Sequence, residues 1–267
     1  MATTSSESQL THTWSALRAS GRRALIPYFT AGYPTRETSA SAIRAAATVA
    51  DIIELGVPFS DPVADGPTIQ RSSFEALRQG MTLTGTLDLI AEVRLNRPVV
   101  VFSYLNPILR YGIERFLADA AGLGVAGLIL TDLPAGSDPP LETAVQRSSL
   151  DLIRLVAPTT RPERLTAALE GAQAFVYLVS RLGVTGTAES LSQGLAESIQ
   201  SVRRATRLPI AVGFGISTPE QARTVGKLAD GVVVGSALVD ILGQDGVRQA
   251  ARFLTLLRRA LDEGDRS

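Results

Sequence analysis

The strongest constraint on the fold is a repeat of short apolar runs. Eight segments, 24–29, 52–55, 98–102, 127–130, 151–156, 174–179, 210–213 and 231–235, are rich in Val, Ile and Leu. Strands buried on both faces of a parallel sheet read this way. Amphipathic stretches separate them, at 38–49, 83–94, 113–123, 161–169 and 191–205, with helical patterns at 13–19 before the first run and 247–261 after the last. Thr218-Pro219-Glu220-Gln221 gives a helix start: a capping hydroxyl, Pro at the first helical position, and Gln two residues on. Thr160-Arg161-Pro162-Glu163 looks similar. Strand–helix units repeated in series predict a (β/α)8 TIM barrel with an extra N-terminal helix. A doubly wound open sheet is the alternative, but no Gly-rich dinucleotide fingerprint follows the first run. Such barrels run to about 250 residues as one domain. The 267 residues carry no linker, so a single domain over 1–267 is expected, with polar residues 1–10 as a flexible tail.

Composition removes several chemistries. Lys+Arg and Asp+Glu are both 26, and no basic stripe stands out, so nucleic-acid binding is not expected. There is no Cys, hence no disulfide and no thiol nucleophile. His12 is the only histidine and lies before the first strand, which removes Ser-His-Asp chemistry and a His-rich metal site. Lys227 is the only lysine and falls in the helix after the seventh strand, so a Schiff-base aldolase is also excluded. Neither a metal nor a cofactor is expected. The N-terminus lacks a signal pattern and no run is long enough to span a membrane, which predicts a cytoplasmic protein.

In this fold the active site lies at the C-terminal ends of the strands. Asp51 and Asp230 precede their strands and belong to the opposite, bottom face. Glu54 interrupts Ile52-Ile53-Glu54-Leu55 and shares a face with Ile52. A buried carboxylate costs several kcal/mol unless paired or protonated, in round numbers. Two readings stand: an ion pair with an Arg, or an acid/base group whose pKa is raised by burial. The proline-rich loop 56–67 follows, and Asp65 in it can reach back over the barrel mouth as a second carboxylate. Turn chemistry alone reads Asp65 as the cap of a helix from Thr68.

Gly213-Phe214-Gly215 ends the seventh strand, and Gly235-Ser236 ends the eighth. Glycines beside helix starts let backbone N–H groups approach an anion, and barrels often hold phosphate there. Residues 180–186, Ser-Arg-Leu-Gly-Val-Thr-Gly, suit either a lid or an ordinary surface loop.

The run from Glu54 to Pro62, followed by Ala64-Asp65-Gly66-Pro67-Thr68-Ile69-Gln70, resembles the signature of tryptophan synthase α subunits. Pro27-Tyr28-Phe29-Thr30-Ala31-Gly32, Tyr104-Leu105-Asn106-Pro107, Asp132-Leu133-Pro134 and Ala157-Pro158-Thr159 extend the resemblance over nearly the whole chain. It implies retro-aldol cleavage of indole-3-glycerol phosphate to indole and glyceraldehyde 3-phosphate. Glu54 would be the acid/base, and Asp65 would stabilise the proton on the indole nitrogen. Phe29, Phe102, Ile129 and Tyr177 would border the indole. Thr185, Gly186, Gly215, Gly235 and Ser236 would hold the rest of the substrate, chiefly its phosphate. The loops around Asp61 and Thr185 would close on substrate and respond to a β subunit in an α2β2 assembly. The competing expectations are another phosphate-binding barrel isomerase, a stand-alone indole lyase and a non-catalytic regulatory subunit; intact Glu54 and Asp65 oppose the last.

Overall fold

The apolar runs form strands β1 (Ala24–Thr30), β2 (Ile53–Gly56), β3 (Val99–Ser103), β4 (Val125–Leu130), β5 (Asp151–Val156), β6 (Val176–Val179), β7 (Ile210–Gly213) and β8 (Gly231–Val234). They pair in sequence order, all parallel, and β8 returns to β1 in the register Ala24↔Gly231 to Pro27↔Val234. The result is a closed barrel. The computed structural model describes residues 7–179, 188–213 and 215–264, with 188–193 as backbone only. The sixth strand starts two residues later than the sequence suggests, because Ala174 takes a left-handed φ of 56° that no strand tolerates.

Alternation along the strands makes two cores. Ile26, Ile52, Val100, Ile153, Ala211 and Val233 fill the barrel. Leu25, Ile53, Leu55, Val101, Leu152 and Val232 face the helices. Those helices are α2 (Arg36–Ala46), α3 (Pro67–Arg78), α4 (Leu83–Val93), α5 (Leu105–Tyr111), α6 (Ile113–Gly122), α7 (Pro139–Arg147), α8 (Pro162–Ala168), α9 (Ala188–Ala205), α10 (Pro219–Gly226) and α11 (Ser236–Glu263). The last is broken at Gly246, whose φ of 78° splits a short helix from a long one. The capping box expected at Thr218 and Gln221 opens α10. The similar signal at Thr160 does not cap α8: its hydroxyl turns back to accept the N–H of Ala157 at 3.3 Å, and Arg161 is the N-cap. Among the described residues no helix is long and apolar enough to cross a membrane.

Helix α1 (Gln9–Ala19) closes the bottom of the barrel and corrects the expected tail. The helix begins before Thr13, because Leu10, Trp14 and Leu17 form one apolar stripe at helical spacing, all buried. Leu10 is fully buried, and a side chain at Gly127 would meet it at 2.8 Å. Trp14 packs on Phe175 with ring centroids 5.4 Å apart. Ser8 accepts the N–H of Thr11 and donates to Asp151 at 2.5 Å, so order begins upstream of residue 10. Asp51 and Asp230 lie on this face too. Asp51 accepts from the Leu25 N–H and from Arg258, and Asp230 from the Ile210 N–H.

Candidate active site

Glu54 enters the barrel from β2, on the face shared with Ile52, and is 1% exposed. None of the ion pairs formed among the described residues involves it, and its Oε1 has no hydrogen-bond partner. The ion-pair reading of this carboxyl therefore fails. Burial, and secondarily the charge of Asp65, raise its pKa from 4.5 to about 8. The group carries its proton at neutral pH.

Two tyrosines stand beside it. Tyr28 is in register with Glu54 on β1 and shares its inward face. The next inward position above Glu54 is Gly56, and its missing side chain makes the room: a Cβ there would lie 2.1 Å from the Tyr28 hydroxyl oxygen. Tyr177 on β6 uses the same device, its hydroxyl lying 2.3 Å from where a Cβ of Gly213 would be. Both phenols are pushed well above their ordinary range, chiefly by burial. Phe102 meets Tyr28 edge to face at 5.6 Å.

Asp65 comes back over the mouth from the loop after β2. It does not cap α3: Gly66 is the N-cap, Pro67 follows, and no side chain caps the helix. Instead its loop is tied to the end of β3, where the Tyr104 hydroxyl accepts the N–H of Ala64 at 2.9 Å. Burial raises the pKa of Asp65 to about 6, and the nearby Tyr104 hydroxyl restrains the rise. Burial thus lifts Glu54 further than Asp65, so Asp65 ionises first as pH rises.

They face a cavity of about 320 Å³. Its floor and walls include Tyr28, Glu54, Asp65, Phe102 and Tyr177, and its far rim is Gly215, Gly235 and Ser236. Gly235 and Ser236 form the start of α11, where no side chain caps the first turn. Free N–H groups and the helix dipole favour an anion there. Acid/base groups at one end and an anion cradle at the other suit a small phosphorylated substrate with a flat apolar part.

Two expected wall residues lie elsewhere. Phe29 is 1% exposed and points outward with Leu25 into the helix layer, because Ala24, Ile26 and Tyr28 take the inward positions of β1. Tyr28 lines the cavity in its place. Ile129 is fully buried inside the barrel, beside Phe102 in register but below the cavity wall, which Thr131 reaches instead. Thr185, Gly186 and the rest of 180–187, with Phe214, lie outside the described residues. Tyr104 and Thr131 were not singled out by the sequence as site residues; Tyr104 stood in a quoted motif, but nothing in its spacing ties it to Asp65.

Residues 14–264 match the family model described as tryptophan synthase alpha chain. A tryptophan synthase alpha chain of Acidiphilium cryptum is 51% identical over 239 residues, covering 88% of this chain and 87% of that one. The one from Arabidopsis thaliana is 41% identical, covering 97% and 98%. A crystal structure of tryptophan synthase from M. tuberculosis in an aminoacrylate-bound form superposes with a TM-score of 0.87 at 37% identity, covering 96% of this chain and 100% of that one. Tryptophan synthase subunit alpha from Legionella pneumophila reaches 0.88 at 32% identity, covering 97% and 100%. With a closed barrel, paired carboxyls and an anion cradle in the same chain, the protein belongs to the tryptophan synthase alpha chain family.

Proposed function

We propose that the chain cleaves indole-3-glycerol phosphate by proton transfer between Glu54, the substrate and the field of Asp65. The observation that carries this is the pair of carboxyls held apart in pKa, about 8 against about 6, across one cavity. Protonated Glu54 gives its proton to ring carbon 3 of the indole, and the positive charge spreads onto the ring nitrogen. Asp65, ionised, stabilises that N–H. Glu54, now a carboxylate, takes the proton from the hydroxyl on the carbon attached to the ring. That C–O becomes the aldehyde of glyceraldehyde 3-phosphate, the C–C bond breaks, and its electron pair restores the indole. Glu54 ends protonated, as it began, and the cycle needs no cofactor.

Phe102 and Tyr177 flank the ring, and Gly215, Gly235 and Ser236 hold the phosphate. A tryptophan synthase β subunit takes the indole and docks on a surface that includes the Asp61 loop, forming α2β2. Support for docking there comes from Val63 and Phe74, which are 85% and 61% exposed beside Asp61. The setting is the cytoplasm. The test is indole release by the purified chain, alone and with a β subunit. Slow release that rises strongly with the partner is expected. Fast release indifferent to the partner would make the chain a stand-alone lyase, and no release in either case would sink the assignment.

A further inference from the structure

We infer that Asp240 is a positioning residue that fixes the distance between Asp65 and the anion cradle, so that one substrate can meet both. The inference rests on the reaction proposed for those two groups. Asp240 lies on α11, about one turn beyond Ser236. Its two carboxylate oxygens are divided between two residues near the start of α3. The Thr68 hydroxyl donates to Oδ2 at 3.0 Å, and the Arg71 guanidinium pairs with Oδ1. Thr68 follows Asp65 across the stiff Gly66-Pro67 helix start. From the same end of α3 the Gln70 side chain donates to the backbone carbonyl of Asp65 at 3.0 Å. A single carboxylate thus ties the helix that begins at the anion cradle to the helix that begins at Asp65. Both helix starts line the cavity, through Gly66 and Ile69 of α3 and Gly235 and Ser236 of α11.

A second bond on α3 gives this one its purpose. The buried Ser72 hydroxyl donates to the Ile69 carbonyl, which leaves its oxygen to accept from Thr30 of β1 at 2.7 Å. That bond pins the body of α3 to the barrel wall. A helix pinned at such a point can still tilt about it, and tilting moves its N-terminus with Asp65 attached. Asp240 opposes the tilt at the end that carries Asp65. The pair with Arg71 is half exposed, so its net attraction is small and its use is geometric. Geometry is what a bridging substrate demands. A molecule joining a ring to a phosphate has a fixed reach, and reacting groups misplaced by ~1 Å can lose about a hundredfold in rate. The two pieces bound separately make no such demand.

The experiment compares wild type, Asp240→Ala, Asp240→Asn, Thr68→Val and the double variant Asp240→Ala/Thr68→Val. Calorimetric titration gives Kd for inorganic phosphate, for indole, and for an uncleavable analogue that joins the two; steady-state assays give kcat/KM for indole release from indole-3-glycerol phosphate. Asp240→Ala should bind each piece within about twofold of wild type, yet lose about fivefold in analogue affinity and in kcat/KM. Thr68→Val leaves every charge in place and should show the same pattern, and the double variant should lose little more than Asp240→Ala alone. Asp240→Asn fills the same space and keeps an acceptor for Thr68, so it should show the pattern more weakly. Pieces weakened as much as the analogue would overturn the inference, because Asp240 would then only prop up the cradle. Unchanged analogue binding and kcat/KM would overturn it too, as would losses that simply add in the double variant. Asp65→Asn reports separately on the underlying reading: it should be inactive, and wild-type turnover there would remove Asp65 from the reaction while the analogue affinities still judge the tie.

Discussion

At the scale of single residues, the chemistry rests on a buried carboxyl that forms no ion pair among the described residues. Glu54 has a folded pKa of about 8, above its unfolded value near 4.5, so the folded state holds the proton more tightly. Stability therefore declines as pH rises above 4.5, by up to about 1.4 kcal/mol per unit, until the group ionises in the fold near pH 8. Glu54→Gln has no such group. The stability gap between variant and wild type should widen from pH 5 to 8 in urea denaturation, then level off. Parallel curves would mean that Glu54 is not buried as a neutral acid. The same variant should lose at least about a hundredfold in kcat while inorganic phosphate still binds. The face that Glu54 shares with Ile52 was legible because strand parity is strictly local; which of the two faces points into the barrel was not. Nor was the role of Asp65. Asp-Gly-Pro reads as a turn and cap, whereas the loop carrying Asp65 is tied to a tyrosine just after the next strand, whose hydroxyl accepts the Ala64 N–H. Phe29 is the converse case: its motif is plain in the sequence, but parity along β1 turns it outward with Leu25 and turns Tyr28 toward the cavity.

Among elements, glycines decide where large side chains go. Gly56→Ala would put a methyl group 2.1 Å from the Tyr28 hydroxyl oxygen, and the ring must swing into the cavity. The expected result is a KM raised about tenfold or more and a loss of about 1–3 kcal/mol. Steady-state kinetics and thermal melting check both, and an unchanged KM would show that Tyr28 does not shape the site. All eight strands were legible, since buried parallel strands are short, apolar and branched. Helices α5 and α7 were not. Each carries proline in its first turn, Pro107 in α5 and Pro139-Pro140 in α7, where a missing N–H is harmless. Read one residue at a time, such prolines look like breakers.

For the molecule as a whole, the two ends of the barrel have separate duties. Chemistry occupies the top, and α1 stoppers the bottom. Leu10→Ala should cost about 2–5 kcal/mol, as buried leucines do, and leave kcat/KM unchanged. Urea denaturation beside steady-state kinetics tests this; a changed kcat/KM at full folding would mean the ends communicate. The barrel and its functional end could be read from the repeat. The stopper could not, because its contacts with Gly127 and Asp151 join distant parts of the chain. Closure itself is the longest such contact, β1 against β8. A ribosome delivers β1 first and its second neighbour last. At about 5–20 residues per second, roughly 10–40 seconds pass between them. Throughout that interval the strand edge of Leu25 and Ile26 has no native cover, and the stopper has no rim to seat on until β5 arrives. The nascent chain is thus most exposed to aggregation just before it is complete, and a factor that shields strand edges during synthesis would raise its yield without touching the finished enzyme.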